Sequence, residues 1–185
     1  MITPLALSTS PKMEGLPEGY SQSDVMAALA AASQRPKPST TAFAALSKDD
    51  LTVAGSFDNV PINTRRLVCP REGCGCVIVG PKTASWEVCE DAILPHDPTS
   101  PFPPPGNTAY WRVDGGPYAF DNIGFSRSVD ATLPAGAPGA GGKVKWLICA
   151  ECDIGPIGWT IEGGQSSWVA ADRVRYGDAP LPASE

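Results

Sequence analysis

Short apolar runs set between turn residues fill the chain from Arg65 onward. Arg66–Val68, Val77–Val79, Ser85–Cys89, Tyr110–Val113, Tyr118–Phe120, Gly124–Val129, Val144–Ile148, Trp159–Ile161 and Trp168–Val174 are rich in β-branched and aromatic residues. Gly, Pro, Asn, Asp and Ser separate them, which is the pattern of short strands joined by tight turns. This spacing predicts a mainly β domain over residues 63–177, built of several small antiparallel sheets.

The pattern upstream is different. Residues 1–20 are rich in Ser, Pro and Gly without an apolar period, the composition of a disordered segment. In "SQSDVMAALAAASQ", Ser21 or Ser23 can cap a helix, Asp24 suits its first turn, and Ala and Met supply propensity, so a short, weakly amphipathic helix is predicted near residues 22–33. Pro36 and Pro38 end it, and "TTAFAALSKDDL" can add one or two helical turns. Residues 1–62 are therefore expected to form a largely disordered extension, and residues 178–185 a tail. Two segments interrupt the β domain. "LPHDPTSPFPPPGN", near 95–107, reads as a flexible polyproline-like loop, and "LPAGAPGAGG", near 133–142, as a flexible tether.

Composition narrows the function. The 185 residues are 42% hydrophobic, enough for one core domain, and carry a net charge of -6. A nucleic-acid groove needs clustered cations, and Arg65-Arg66 is the only dense basic spot in the sequence. No run approaches the roughly 18 apolar residues of a membrane span, and the first residues lack the basic start and apolar centre of a signal peptide. The expectation is a cytoplasmic protein without direct membrane insertion.

In a reducing compartment, six cysteines point to metal binding before disulfides. Cys69-Pro-Arg-Glu-Gly-Cys74-Gly-Cys76 and Cys149-Ala-Glu-Cys152 each follow a strand-like run, the arrangement of two knuckles supplying four thiolates to one structural zinc ion. Cys69 and Cys74 are the favoured first pair, with Cys76 as a substitute. A redox role for Cys149 and Cys152 is disfavoured, because "DIGPIGW" cannot open a helix and Glu151 and Asp153 oppose thiolate formation. Cys89 reads as a buried apolar residue. His96, the only histidine, lies in the proline loop, and neither a nucleophile elbow nor a phosphate-cradling glycine motif occurs. Catalysis by side chains is not expected, so the chain is read as a non-enzyme.

Three blocks, "RRLVCPREGCGCVIV", "YWRVDGGPYAFDNIGFSRSV" and "KVKWLICAECDIGPIGW", with a weaker "SSWVAADRVR", resemble the Rab-interacting factor family, that of the mammalian suppressor of Sec four. The likeness spans about residues 63 to 176. It implies a zinc-containing β fold that binds secretory-pathway Rab GTPases in their nucleotide-free form. It further implies a guanine-nucleotide-releasing factor or chaperone that supports vesicular transport and is recruited to membranes through Rab; the expectation is a monomer. By the same resemblance the zinc ligands are Cys69, Cys74, Cys149 and Cys152, and the Rab-facing residues are Phe120, Asp121, Asn122, Ile123, Gly124, Phe125 and Glu151. Three features depart from the family pattern: four residues between the first two cysteines, the glycine-rich insertion before Lys143, and the N-terminal extension. Taken without the resemblance, "YAFDNIGF" is an ordinary strand and turn with both phenylalanines in the core. Two alternatives of other classes are a methionine sulfoxide reductase type of oxidoreductase using Cys76 or Cys89, and a structural zinc-ribbon adaptor.

Overall fold

The computed structural model describes residues 21–33, 39–56, 58–96, 98–102, 106 and 108–177. The expected disorder of residues 1–20 and the tail 178–185 lie outside the described residues. By contacts the chain divides into residues 1–36 and 37–185.

In the first unit, α1 spans Gln22–Ser33. Ser21 caps it: the Asp24 backbone N–H donates to Ser21 Oγ at 3.2 Å, and the Ser21 backbone N–H donates to Asp24 Oδ2 at 2.9 Å. The Ser21 hydroxyl, and then the Ser21 backbone N–H, donate to the exposed Asp24 carboxyl and hold it below its ordinary pKa.

The second unit is mainly β, as the apolar runs predict. Its strands are β1 Thr40–Ala42, β2 Thr52–Ala54, β3 Pro61–Asn63, β4 Leu67–Val68, β5 Val77–Val79, β6 Ala84–Val88 and β7 Ala109–Asp114. They continue with β8 Ile123–Phe125, β9 Val144–Cys149, β10 Gly158–Ile161, β11 Ser166–Ala170 and β12 Arg175–Gly177. A one-turn helix, α2 Lys48–Leu51, carries a Ser47/Asp50 capping box. The strands form two antiparallel sheets, a four-stranded one in the order β1-β12-β4-β5 and an eight-stranded one in the order β2-β3-β6-β7-β11-β10-β9-β8.

The expected 1–62 extension is shorter than the sequence pattern suggests, because β1, β2 and β3 belong to the sheets. All three are three residues long; β2 pairs locally with β3, while β1 and β3 also take partners from far along the chain, Thr41 against Tyr176 and Ile62 against Ser85. No local period can report such partners. The strand expected at Tyr118–Phe120 is instead a 3₁₀ turn over Gly116–Ala119, imposed by left-handed Gly115 and Gly116 (φ 105° and 69°) followed by Pro117.

The eight-stranded sheet is covered on both faces, which explains why its strands read as nearly continuous apolar runs. One face carries Trp111, Val113, Leu147 and Val169, which pack with Leu67, Val79 and Tyr176 of the smaller sheet. The other carries Tyr110, Val144, Trp159 and Trp168, packed with Cys89, Ile93, Leu94, Leu133 and Ala137. Cys89 is thus the buried residue expected. Trp159 and Trp168 stack at 5.6 Å, and Tyr110 meets Trp159 edge-on at 4.9 Å.

The glycine-rich segment is not the open tether expected. Leu133 and Ala137 are buried, the Trp159 indole N–H donates to the Pro138 carbonyl at 3.4 Å, and Gly139 and Gly142 lie hard against Ile161. Absent side chains let this backbone lie flat on the sheet, so the glycines serve close approach as well as turning. The proline-rich loop is anchored as well. Arg173, 3% exposed, donates to the carbonyls of Pro156 (2.8 Å) and Pro95 (3.1 Å), and its guanidinium lies 4.8 Å from the centre of the Phe102 ring.

Candidate metal centre and the surface beside it

Cys69 directly follows β4, and Cys74 stands in the turn that leads to β5. The Cys69 backbone N–H donates to the Cys76 carbonyl at 2.8 Å, and the Cys74 N–H to the Arg71 carbonyl at 3.1 Å. Gly73 and Gly75, both left-handed at φ 77° and 66°, let the chain double back between the two thiols. Cys149 ends β9, and the turn beyond it brings Cys152 round. There the Asp153 N–H donates to the Cys149 carbonyl at 2.9 Å, with Asp153 itself at φ 58°. Each knuckle therefore belongs to a different sheet.

The four sulfurs lie within 4.8 Å of one another. Cys69 and Cys152 are 3.5 Å apart, and Cys74 and Cys149 are 3.9 Å apart. Four thiolates around a tetrahedral ion at about 2.3 Å would stand about 3.8 Å apart, so the donor set fits one four-coordinate metal ion. Backbone amides point at the sulfurs: Arg71 N–H at Cys69, Cys76 N–H at Cys74, and the Glu151 and Cys152 N–H groups at Cys149. Such bonds spread the charge of a four-thiolate site. Burial raises the Cys69 and Cys74 thiol pKa values. Burial also acts upward on Cys149, but the amides and neighbouring thiols outweigh it and lower the net value.

Cys76 is outside this group of four. Its sulfur faces the Val77 carbonyl at 3.8 Å, and its thiol is pushed up to about 12, first by burial and then by neighbouring Cys149. The preference for Cys74 over Cys76 follows from the turn: Gly75 reverses the chain, and Cys76 has already joined the extended approach to β5.

The structure gathers the candidate partner residues beside the metal centre. In the β8–β9 pair, Ile123 lies opposite Cys149, Gly124 opposite Ile148 and Phe125 opposite Leu147. β8 is the edge strand of its sheet. Phe120 and Phe125 are half-buried and meet edge-on at 6.4 Å, packed on the first core without entering it fully. Their position is intermediate between the core and the exposed alternatives. Asp121 and Asn122 are exposed, yet the Asp121 N–H donates to the Ile78 carbonyl (3.1 Å) and Asn122 Nδ2 to the Val77 carbonyl (3.0 Å). These bonds tie the segment to β5 of the other sheet. Glu151 is exposed on the turn after Cys149. Gly124 fits under Ile148, where an added Cβ would lie 2.8 Å from Ile148 Cγ1.

Tyr118 was not among the sequence-derived candidates. It is 97% exposed on the 3₁₀ turn two residues before Phe120, an unusual setting for a tyrosine on a folded surface. The signal was present in Gly115-Gly116-Pro117, which marks a turn where the apolar pattern suggested a strand. His96 is also exposed, consistent with its place in the proline loop.

Among the described residues no helix is long and apolar enough to cross a membrane. Residues 62–176 match the family model described as Mss4 protein, a span that takes in both knuckles, the 120–125 segment and all or most of every strand except β1 and β2, which lie before it. With its β framework, its clustered thiols and a match over most of its length, the chain belongs to the Mss4 protein family.

Proposed function

We propose that this chain binds Rab-family small GTPases in their nucleotide-free form and promotes nucleotide release, as an exchange factor or chaperone serving vesicular transport. One structural zinc ion holds its binding surface in place. The observation that carries the reading is the placement of Ile123 opposite Cys149, which sets the 120–125 segment and Glu151 on one end of the larger sheet. Membership of the family supports the same reading.

No acid or base is needed for this activity. A factor that binds the empty GTPase more tightly than the loaded one must weaken nucleotide by the same ratio. Phe120, Phe125 and Ile123 offer half-buried apolar area that can replace contacts around an opened nucleotide site. Exposed Asp121 and Glu151 offer carboxylates to basic groups no longer paired with phosphate. Cys69, Cys74, Cys149 and Cys152 would hold the zinc, which supplies folding energy and no reaction chemistry. In this reading the protein is a cytoplasmic monomer that reaches membranes through its Rab partner.

Cys89 supports a non-enzymatic role. Burial, then the nearby Glu87 and Asp91 carboxylates, raises its thiol pKa, the opposite of what a nucleophile needs. The test is release of a fluorescent GDP analogue from purified secretory Rabs with the zinc-loaded protein, followed by gel filtration. Accelerated release and a co-eluting nucleotide-free complex are expected. No effect on any Rab would reject the proposal.

A further inference from the structure

A cleft of about 450 Å³ opens where β1 and β12 meet the loop that carries Cys69 and Cys74. Arg71 and Arg175 both line it, together with Thr40, Gly73 and one acid, Glu72. The two arginines lie 104 positions apart in sequence, so no basic run marks them. Arg175 is half-buried and fixed: Nε donates to Thr40 Oγ1 at 2.7 Å and Nη2 to the Thr40 carbonyl at 2.6 Å. Among the described residues neither arginine forms an ion pair, since the salt bridges there are Arg112 with Asp114 and Lys145 with Glu162. A half-buried guanidinium held rigid by neutral partners keeps its charge available for an anion. Gly73 adds left-handed backbone with no atom within 4 Å of where a Cβ would sit, which leaves the loop's edge open to a close-fitting group.

Two guanidiniums suit a doubly charged tetrahedral anion, which accepts several N–H donors at once. Among the described residues no aromatic ring lines the cleft to stack on a nucleobase. A net charge of -6 opposes docking on an anionic bilayer. We propose that this cleft binds a phosphorylated side chain of a partner protein, with Arg71 and Arg175 as its clamp. The site is linked to the metal centre. Arg71 lies between Cys69 and Cys74, and its own N–H bonds the Cys69 sulfur, so the metal-bound loop sets where its guanidinium can reach.

The test titrates the full zinc-loaded chain with inorganic phosphate and with O-phosphothreonine at constant ionic strength. The readouts are the ¹⁵N shifts of the Gly73 amide and the arginine Nε groups. Saturable shifts at these positions are expected, with affinity falling about tenfold or more in Arg71→Ala and in Arg175→Lys and vanishing on chelation. Arg71 is exposed, so Arg71→Ala keeps the fold and carries the test if Arg175→Lys does not fold. Parent-like phosphate affinity in folded Arg71→Ala overturns the proposal. So does association with phosphatidylserine vesicles without a saturable response to either phosphate probe.

Discussion

Ile123 stands directly across the β8–β9 ladder from Cys149, a zinc-ligand candidate. The strand that presents the candidate partner surface is thereby registered on the strand that ends in a metal knuckle. Whatever loosens the metal centre loosens that register, while a change on the exposed side of the surface leaves the centre intact.

The first prediction concerns the metal. Cys69→Ser or Cys152→Ser, or chelation of the parent, should release zinc and destabilise the 37–185 unit by at least a few kcal/mol, since metal affinity contributes directly to folding. Cysteine thiols must give up their protons to bind the metal as thiolates, so acidification should also release the ion. Zinc stoichiometry and thermal unfolding measure both effects, and an unchanged melting temperature in zinc-free protein would contradict the assignment.

Glu151→Ala and Asp121→Ala should leave zinc content and melting temperature within experimental error, because both side chains are exposed. Each should weaken capture of nucleotide-free Rab by roughly three- to tenfold, the range for a charge at an interface. Gel-filtration titration of the complex reads this out, and full retention of affinity in the double variant would remove both from the surface.

Two glycines should differ sharply in their response to alanine. A Cβ on Gly158 would lie 2.1 Å from the Trp168 carbonyl oxygen, a backbone atom in the adjacent strand that cannot step aside. Gly158→Ala should lose about 3 kcal/mol or fail to fold. Gly136 has nothing within 4 Å of its Cβ position, and Gly136→Ala should change stability by less than about 0.5 kcal/mol. Denaturant midpoints decide both.

Tyr176 sets an alkaline limit. Its hydroxyl accepts from the Trp111 indole N–H at 2.9 Å and donates to the Ala171 carbonyl at 2.8 Å. Burial raises its pKa well above the ordinary value of 10.0. The folded protein therefore keeps the proton that the unfolded chain releases, so Tyr176 contributes its full stability below pH 10 and loses it as pH climbs beyond. Tyr176→Phe should be less stable at neutral pH by about 1–3 kcal/mol, yet show a shallower loss above pH 10. Equal alkaline slopes for the two proteins would rule this out.

What the sequence revealed tracks how local each cause is. The α1 cap at Ser21, the runs of β5 and β9 and the paired knuckles are written in adjacent residues, and each is visible in the chain alone. β1 and β3 were invisible because three residues such as Thr40–Ala42 or Pro61–Asn63 carry no period, and what fixes them lies elsewhere. Buried Asn63 is an example: its amide donates to the Arg65 and Gly80 carbonyls and accepts from the Thr83 and Ala84 N–H groups, a junction of four bonds that no motif announces. The 133–142 segment misled for the opposite reason. Its glycines signalled freedom, whereas their smallness lets them press on Ile161. At the site, Cys-x-x-Cys was legible, while the contact of Asp121 and Asn122 with β5 depended on two sheets meeting.

The pairing of β1 with β12 also governs when the molecule can be finished during its synthesis. β12 lies inside the smaller sheet between β1 and β4, although it is the last strand among the described residues. On the ribosome, β1 and β4 emerge early and must wait for more than a hundred residues before the strand that joins them appears. The second thiol pair, beginning at Cys149, follows Cys74 only 75 residues later. A nascent chain halted before residue 175 therefore exposes unpaired strand edges, and protection by other factors matters most in that window.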